Sequence, residues 1–382
     1  MQILIDELVR PWGIEQQIGL LARWARSENK TVRILTGKSN LQIYGDIKKQ
    51  IKISTTPWKD LEPDEPTLVG PYPATSWITK SSVRSYSVLL SEIPWGLHPK
   101  KQTQWLGAMP SYVHGSGDLI KESLKYLLAS PLRWAKTRYN RWRHEQGLNR
   151  AETIYIFDNR LKNPVQEIYG QTTKLLTPSY PCGRSAPRPQ GYYLCVTPLE
   201  PARNLHAVID AFYLLVRRYG ARFQANWDLD SPFQSGDLHD FQLKIIGEGS
   251  GKSYLEQYAQ SQQMSEKLEF IDWPPPEELQ RYLEGAIGVI DVPLTGDASS
   301  LVYRAIAGGV PAVYSRSHPG LDSLITPGAM AKQVKPSNRD EIAKGLIEFA
   351  QISTDQRKPD ATLKKGIDPE NVFQTLINPD AE

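Results

Sequence analysis

The stretch FQLKIIGEGSGKSYLEQYAQ, residues 241–260, has the pattern of an apolar strand, a glycine-rich turn and a helix. The phosphate-binding loop of ATPases places four residues between its first glycine and a Gly-Lys-Ser/Thr triplet, so that successive backbone N–H groups wrap a phosphate. Here only three residues separate Gly247 from the triplet that begins at Gly251. The spacing therefore argues against a nucleoside triphosphatase. Two interpretations of the turn stay open: an anion site at the start of a helix, or an ordinary tight turn of an α/β fold.

Strands alternate with helices on both sides of this stretch. In the first half the pattern predicts a strand at 2–9, a helix at 13–28 and strands at 31–37 and 153–159, whereas residues 55–120 show no clear elements. The predicted strands of the second half are GYYLCVT, FQLKIIG, LEFIDW, IGVIDVPL and VPAVYS. The predicted helices there are NLHAVIDAFYLLVRRYG, SYLEQYAQSQQ, PPEELQRYLEGA, SLVYRAIAGG and RDEIAKGLIEFAQ. The alternation predicts doubly wound parallel sheets, with ligands at the carboxyl ends of the strands.

The segment PSYPCGRSAPRPQG is rich in proline and glycine and has no hydrophobic periodicity, which is typical of a linker. We therefore predict an N-terminal, acceptor-side Rossmann-like domain at 1–178, a linker at 179–191 and a C-terminal Rossmann-like domain at 192–352. A tail or helix at 353–382 follows and is a candidate to pack back on the N-terminal domain.

Length, charge and cysteine content exclude several classes of protein. A chain of 382 residues is long for one core, so two domains are expected. The net charge of +3 is too small for a general nucleic-acid binder, and Cys182 and Cys195 form no Cys-x-x-Cys pair, which argues against a zinc site or a disulfide framework. No run of about 18 apolar residues occurs, and the N-terminus does not resemble a signal peptide. We therefore expect a cytoplasmic protein, either free or peripheral to the membrane.

Four segments of the second half, taken in order, resemble the donor-sugar domain of glycosyltransferase family 4, a group of GT-B enzymes. YYLCVTPLEPARNLHAVIDAF is similar to the family's strand, a loop ending in Lys-Asn and a helix, and KIIGEG to its strand followed by Gly-x-Gly. LEFIDWPPPEELQRYLEGA is similar to the next strand, loop and helix, and AIAGGVPAVYS to the family's Ala-x-Ala-x-Gly-x-Pro-Val-Val element. GIEQQIGLLARWA near the N-terminus resembles its first helix. The resemblance covers roughly residues 1–35 and 150–350.

The resemblance implies a GT-B fold, in which two Rossmann-like domains face each other across a cleft. It implies transfer of a sugar from a nucleotide diphosphate-sugar to a lipid or polysaccharide acceptor, with retention of the anomeric configuration. The implied enzyme needs no bound metal and no cofactor besides the donor, and nucleic acid is not an expected partner. Cationic side chains and helix N-termini must then stabilise the diphosphate as it leaves.

The resemblance assigns four residues to the donor site by position. Arg203 and Asn204 stand where the family has Lys-Asn, and Gly247 and Gly249 stand where it has Gly-x-Gly. An arginine grips a diphosphate with a forked pair of hydrogen bonds. The family's second cation, five residues earlier, is replaced by Pro198. The other interpretation of Arg203 is a solvated charge in the loop before a helix.

The two glutamates that the family carries eight positions apart are absent. Alignment on AIAGGVP places Gly296 and Arg304 at these positions. Arginine has no acceptor for ribose hydroxyls, so Arg304 is expected to pair with a phosphate or with a nearby acid. Asp297, one residue out of register, is such an acid and is also a candidate for the missing acceptor. Ser299 and Ser300 are candidates to donate to a phosphate, or else to cap the helix that follows.

On the acceptor side, Trp12 and Gly13 stand where the family often has two glycines. The family also has an acceptor-side histidine, for which His98 and His114 are the candidates. An isolated histidine is more often structural, which is the alternative for both. No metal-binding residues are predicted.

Residues 121–150 hold eight Lys/Arg and two Glu, a local net charge of +6. An apolar stripe recurs there at helical spacing, with basic residues beside it, and comprises Leu128, Leu132, Ala135, Tyr139 and Trp142. Such a helix suits an anionic membrane surface, which we place at 121–146, with Trp and Tyr at the level of the headgroups. The alternative is a helix whose apolar stripe packs on its own domain.

Two hypotheses about function stay open. The first is a glycosyltransferase of the family 4 type that builds a glycolipid or an exopolysaccharide. The second is a GT-B-shaped protein that has lost catalysis and serves as a binding or assembly partner, because Pro198, Gly296 and Arg304 replace residues that the family uses. Release of a nucleoside diphosphate from a nucleotide-sugar distinguishes the two.

Overall fold

The chain folds as two compact units, each built on one sheet. The computed structural model describes residues 1–9, 13–90, 131–157, 161–180, 188–200, 203–219, 240–294, 300–315, 325 and 327–377. The first unit comprises Met1–Ser179 with Pro369–Glu382, and the second comprises Tyr180–Asp368. We call them unit 1 and unit 2. Every strand pair in the two sheets is parallel among the described residues.

Strands and helices alternate along unit 1. The strands are β1 Gln2–Leu8, β2 Arg33–Ser39, β3 Ile51–Ile53, β4 Thr67–Val69, β5 Ser87–Leu90, β6 Thr153–Ile156 and β7 Lys174–Leu175. The helices are α1 Gly13–Ser27, α2 Leu41–Tyr44, α3 Ala74–Trp77, α4 Pro131–Asn149, α5 Lys162–Tyr169 and, from the C-terminal end of the chain, α12 Pro369–Ile377. Short 3₁₀ helices lie at Gly45–Gln50, Pro57–Asp60 and Ile78–Lys80.

The sheet of unit 1 has the order β3-β2-β1-β4-β5-β6-β7 within the described ranges. Its inner strand β1 is buried on both faces: Ile3 and Ile5 pack towards α1, and Leu4 packs on the opposite side. The C-terminal helix α12 contacts α1, where the rings of Trp24 and Phe373 lie 5.8 Å apart. The last helix of the chain is therefore part of the core of the first unit.

Unit 2 alternates in the same way. The strands are β8 Tyr192–Val196, β9 Gln242–Ile246, β10 Leu268–Ile271, β11 Ala286–Asp291, β12 Ala312–Ser315 and β13 Ala331–Val334. The helices are α6 Leu205–Tyr213, α7 Lys252–Ser261, α8 Pro276–Gly285, α9 Ser300–Ala307, α10 Arg339–Gln351 and α11 Ala361–Gly366. A π-helix at Leu214–Tyr219 continues α6, and a 3₁₀ helix lies at Thr354–Gln356.

The sheet of unit 2 has the order β10-β9-β8-β11-β12-β13 in the described part of the chain. The direction of winding reverses between β8 and β11, and open sheets of this kind bind ligands outside the carboxyl ends of the strands at that reversal. The predicted fold class, an α/β protein of two doubly wound Rossmann-like units, is confirmed.

Agreement with the predicted elements is best where the hydrophobic pattern is long. RDEIAKGLIEFAQ forms α10, which Asn338 caps by accepting a hydrogen bond from the Glu341 N–H at 3.2 Å. Acidic residues in the first turn of α10 interact favourably with the positive end of the helix dipole.

The predicted helix that starts at Asn204 remains α-helical only to Tyr213. Strands β3, β4, β5 and β13 were not predicted, because three or four residues carry too little alternation.

The inner side of α4 packs closely on α3. A side chain on Gly147 would lie 1.9 Å from the Thr75 carbonyl oxygen, so only glycine permits this approach. His144 is fully buried and hydrogen-bonds the Thr75 hydroxyl through Nδ1. Its ring makes edge contacts with Tyr72 and Tyr169. These contacts determine which side of the helix faces solvent.

The aromatic stripe of α4 lies on the opposite, outer side. Tyr139 and Trp142 are 52% and 53% exposed, with ring centroids 6.0 Å apart, and Ala135 is exposed as well. The interpretation that the stripe packs on its own domain is therefore wrong for these three residues, because the glycine and histidine contacts occupy the inner side. Leu128 lies outside the described residues, as does the side chain of Leu132. No helix in the described ranges is long and apolar enough to cross a bilayer.

A buried arginine closes the end of the unit 2 core. Arg357 is 2% exposed and donates to the carbonyl oxygens of Ile287 at 2.8 Å, Phe349 at 2.7 Å and Ile352 at 3.4 Å. Burial lowers the pKa of its guanidinium to about 10. Phe349 lies in the last turn of α10 and Ile352 follows that helix, so the side chain supplies donors to carbonyls that no further helical turn can satisfy.

We expect Arg357→Met to lower the free energy of unfolding of unit 2 by about 3 kcal/mol, because it removes the side-chain donors of three buried carbonyl oxygens. Urea unfolding followed by circular dichroism measures the change. The matched control is Lys358→Met at the exposed neighbouring position, which should unfold like the wild type. Equal stability of the two variants would contradict the structural role of Arg357.

Candidate functional site

The carboxyl ends of β8 and β11 are joined by the side chain of Asn204. This residue is fully buried and precedes α6 in a left-handed conformation with φ of 61°. Its Nδ2 donates to the carbonyl oxygens of Val292 at 2.9 Å and Pro336 at 2.7 Å, which follow β11 and β13. Asn204, predicted to bind the donor, therefore holds the loops of three strands together.

The main chain of the glycine-rich loop after β9 packs directly against the main chain of the loop after β8. Gly247 has φ of 153°, and a side chain there would lie 2.0 Å from the Thr197 carbonyl oxygen. Side chains at Gly249 and Gly251 would lie 2.6 Å and 2.7 Å from the Leu199 carbonyl oxygen. The three glycines are therefore required for the approach of the two loops.

Hydrogen bonds fix this contact. The Leu199 N–H donates to the Glu248 carbonyl at 2.9 Å, and the Gly251 N–H donates to the Leu199 carbonyl at 2.9 Å. Among the described residues, the N–H groups of Gly249 and Ser250 donate no hydrogen bond. Two consecutive amides at the tip of the loop are thus available for an anion, as expected for a turn that opens a helix.

Two cations of these loops, Lys252 and Arg203, differ in their partners. Lys252, the first residue of α7, forms an ion pair with Asp272 at 2.8 Å, which raises its pKa. The partly exposed side chain of Arg203 makes no hydrogen bond and no ion pair with any residue that the structure describes. Of the two, Arg203 is the one whose charge is available to a ligand.

The sequence interpretation missed Asp291, a carboxylate at the last position of β11. It is only 5% exposed, in a strand that is otherwise apolar. Burial first, and then the Asp291 carboxylate, raise the pKa of the Cys195 thiol, whereas Arg203 opposes the shift. Both charges therefore act at the carboxyl end of β8. The one acidic residue in the otherwise apolar segment AIGVID was the sequence signal that could have identified Asp291.

Arg304 lies between α9 and α8. It is 6% exposed, and its Nη2 donates to Gln280 Oε1 at 2.9 Å. Gln280 in turn donates to Glu284 at 3.1 Å. The guanidinium that stands in place of the family's second glutamate is thus held by a neighbouring helix, and its predicted role in donor binding stays a prediction.

The remaining predicted residues are distributed as follows. Gly13 is the first residue of α1, near the end of β1, where the Val9 N–H donates to the Glu15 carboxylate. Ser300 is the first residue of α9, and its side chain is not described. Outside the described residues lie His98, His114, Gly296, Asp297 and Ser299. Across the described part of the chain, no group of three or more His, Cys, Asp or Glu residues could hold a metal ion.

The second half of the chain is similar to a known family. Residues 184–365 match the family model described as glycosyl transferases group 1. A search of curated protein sequences found no match.

Several solved structures share the fold over the whole chain. HepE of Anabaena, in complex with UDP, has a TM-score of 0.67 at 11% identity, over 99% of this chain and 99% of that one. WaaG, a glycosyltransferase involved in lipopolysaccharide biosynthesis, has a TM-score of 0.64 at 11% identity, over 100% of this chain and 99% of that one. Sucrose-phosphate synthase from Thermosynechococcus elongatus has a TM-score of 0.62 at 12% identity, over 99% and 97%. The chain therefore has the two-unit fold of the GT-B glycosyltransferases, and its residues 184–365 match the model of the glycosyl transferases group 1 family.

Proposed function

We propose that this protein transfers a sugar from a nucleotide diphosphate-sugar to a lipid or polysaccharide acceptor, with retention of configuration and without a metal ion. The observation that carries the proposal is the pair of adjacent loops after β8 and β9. They bring to the carboxyl edge of one sheet the guanidinium of Arg203 and the amides of Gly249 and Ser250, none of which bonds to a residue that the structure describes. The family whose model matches residues 184–365 supports the same assignment.

The chemistry of the transfer matches these groups. As the sugar leaves the donor, negative charge grows on the diphosphate, and donors fixed in advance at that position lower the barrier. Arg203 supplies a cation with a planar, forked set of donors, and the loop amides supply neutral donors near a helix N-terminus. Because Pro198 replaces the second cation of the family, Arg203 must carry a larger share of this stabilisation.

Structural neighbours support the donor and acceptor classes. HepE has been crystallised with UDP-glucose, and WaaG acts in lipopolysaccharide biosynthesis. By analogy, we infer a uridine diphosphate-sugar as the first donor to test and a glycolipid or polysaccharide as the acceptor. Retention and metal independence follow from the resemblance to family 4. They are tested by the anomeric signal of the product in proton NMR and by activity in EDTA.

The outer face of α4 supports a membrane partner. Tyr139 and Trp142 are exposed beside basic residues, which include Lys136 and Arg138. Aromatic rings at headgroup level and cationic side chains together favour an anionic lipid surface. We infer that this face, part of the predicted membrane segment 121–146, brings the enzyme to a lipid-linked acceptor.

The second candidate is a GT-B-shaped binding or assembly partner without catalysis. Its specific support is Arg304, which offers no acceptor to ribose hydroxyls and is bonded to Gln280. Such a protein releases no UDP from any nucleotide-sugar and binds a protein partner instead. Sugar transfer that is lost in an Arg203 variant would eliminate this candidate.

We expect Arg203→Ala to lower kcat/KM for donor turnover about 100-fold, because removal of one donor that stabilises transition-state charge costs about 2.7 kcal/mol or more. UDP release from UDP-glucose, with a lipid extract or polysaccharide as acceptor, measures the effect. Lys252→Ala is the matched control: it removes a cation from the same edge, but one already paired with Asp272. Equal losses in the two variants, or none in either, would contradict the role of Arg203.

We expect Gly249→Ala to abolish UDP binding, because the new Cβ would lie 2.6 Å from the Leu199 carbonyl oxygen and would push the two loops apart. Isothermal titration calorimetry with UDP measures the loss. Ser250→Ala is the control, since it leaves the main chain in place. Full UDP affinity in the Gly249 variant would show that the loop does not bind the diphosphate.

We expect Tyr139→Ala combined with Trp142→Ala to weaken binding to vesicles of phosphatidylcholine with 30% phosphatidylglycerol about tenfold, because two aromatic anchors are lost. Co-sedimentation measures the bound fraction, and pure phosphatidylcholine vesicles should bind little. Tyr254→Ala removes an equally exposed aromatic ring from unit 2 and should have no effect. Unchanged sedimentation of the double variant would refute the membrane assignment of α4.

A further inference from the structure

We propose that Asp6, Gly37, Trp58 and Trp77 form a binding site for a neutral saccharide in unit 1. If the protein is a glycosyltransferase, as proposed above, this site holds the carbohydrate part of the acceptor, and that role rests on the proposed function. The ability of the site to bind a saccharide does not depend on the proposed function. None of these residues was identified from the sequence.

The site lies in the carboxyl half of β1 and β2, next to the point where the order of the unit 1 sheet reverses. Gly37 is exposed and forms its floor. A Cβ atom added to Gly37 would lie 3.2 Å from the Asp6 carbonyl oxygen, 3.8 Å from the Cη2 atom of Trp77 and 3.9 Å from Asp6 Oδ1. A carboxylate and an indole edge therefore border the exposed surface of Gly37, which has no side chain to cover them. Asp6 and Gly37 lie two residues before the carboxyl ends of β1 and β2, the ends beyond which doubly wound sheets bind ligands.

Asp6 is a half-buried carboxylate for which the described part of the chain supplies no partner. Its side chain makes no hydrogen bond or ion pair with any described residue. Burial first, and then the neighbouring Glu7, raise the pKa of Asp6 above its ordinary value. Withdrawal of a polar group from water costs free energy unless donors replace the lost hydrogen bonds. The hydroxyl groups of a ligand are such donors.

Two tryptophans give the site its apolar wall. The rings of Trp58 and Trp77 are 5.4 Å apart at an angle of 44°. Both are partly buried against the core beneath α3, so their positions are set before a ligand arrives. Lys80 Nζ lies 5.1 Å from the centre of the Trp58 ring. Preformed sites with aromatic walls and a few fixed polar groups are typical of small-ligand binding.

The combination of charges selects a neutral, polyhydroxylated ligand. The Asp6 carboxylate only accepts hydrogen bonds and repels phosphate and other anions. A cationic ligand would meet Lys80, whose ammonium already occupies one face of the aromatic pair. A sugar ring offers adjacent hydroxyl donors to the carboxylate and an apolar C–H face to the indoles. A saccharide is therefore the ligand class that can both donate hydrogen bonds to Asp6 and pack against the two tryptophans.

The test uses the full-length protein without a donor, with maltose and cellobiose as probes. Saturation-transfer difference NMR measures binding. We expect wild-type protein to bind at least one of the two, and Asp6→Asn to weaken that binding at least tenfold, the range for a hydrogen bond to a charged group. Gly37→Val should have a similar effect, because it fills the space between Asp6 and Trp77. The backbone of Gly37 is outside the positive-φ region, and valine suits a strand.

Glu7→Gln is the matched control. It removes the adjacent carboxylate, which lies on the opposite face of β1 because successive side chains alternate, and saccharide binding should not change. Far-UV circular dichroism checks that each variant is folded. If Gly37→Val does not fold, the test rests on Asp6→Asn, which keeps the size of the side chain. Absence of binding by the wild type, unchanged binding in Asp6→Asn, or displacement of the sugar by tetramethylammonium would each overturn the proposal.

Measurement of UDP-glucose binding on the same samples separates the two proposals. If the wild type binds UDP-glucose but neither sugar, the saccharide site is wrong and the transferase assignment is untouched. If it binds a sugar through Asp6 but no nucleotide-sugar, the saccharide site is correct and the transferase assignment fails.

Discussion

The candidate donor site depends on one main-chain contact, the packing of the glycine-rich loop after β9 against the loop after β8. Leu199 both donates to this loop and accepts from it, and glycine at 247, 249 and 251 allows distances that any side chain would prevent. Because the contact is made by the main chain, it fixes both loops without using side chains. The Arg203 guanidinium and the amides of Gly249 and Ser250 remain available as a consequence.

Side chains elsewhere in unit 2 satisfy the main chain where regular structure ends. Asn204 donates to carbonyls that follow two strands, and Arg357 donates to carbonyls at the end of α10. Each residue replaces hydrogen bonds that a longer strand or helix would have supplied. A motif can therefore combine two roles. In the Arg203–Asn204 pair, the asparagine holds the loops in place and the arginine remains open to a ligand.

The sequence predicted the architecture well because long amphipathic segments such as α1 and α10 repeat their pattern over several turns. It also located the glycine-rich loop, since the spacing of its glycines is a local property. Contacts between distant segments left no such signal. The bond from Arg304 to Gln280 joins two helices, and Asp6 and Trp77, some seventy residues apart in sequence, both lie beside Gly37. Strands of three residues, such as β3 and β4, depend on their neighbours and not on their own pattern.

Two arginines in unit 2 show why residue type alone does not assign a site. Arg203 and Arg304 both stand at positions that the family uses, and both carry a charge that suits a phosphate. Arg304 is buried and bonded to Gln280, so its movement towards a ligand would break this bond and take the donor from a partly buried amide oxygen. The Arg203 side chain has no bond to a described residue that would have to break, and the buried Asp291 carboxylate acts at the same strand end. Arg203 is therefore the better candidate for the diphosphate ligand that we propose, because moving its side chain breaks no bond to the described part of the chain.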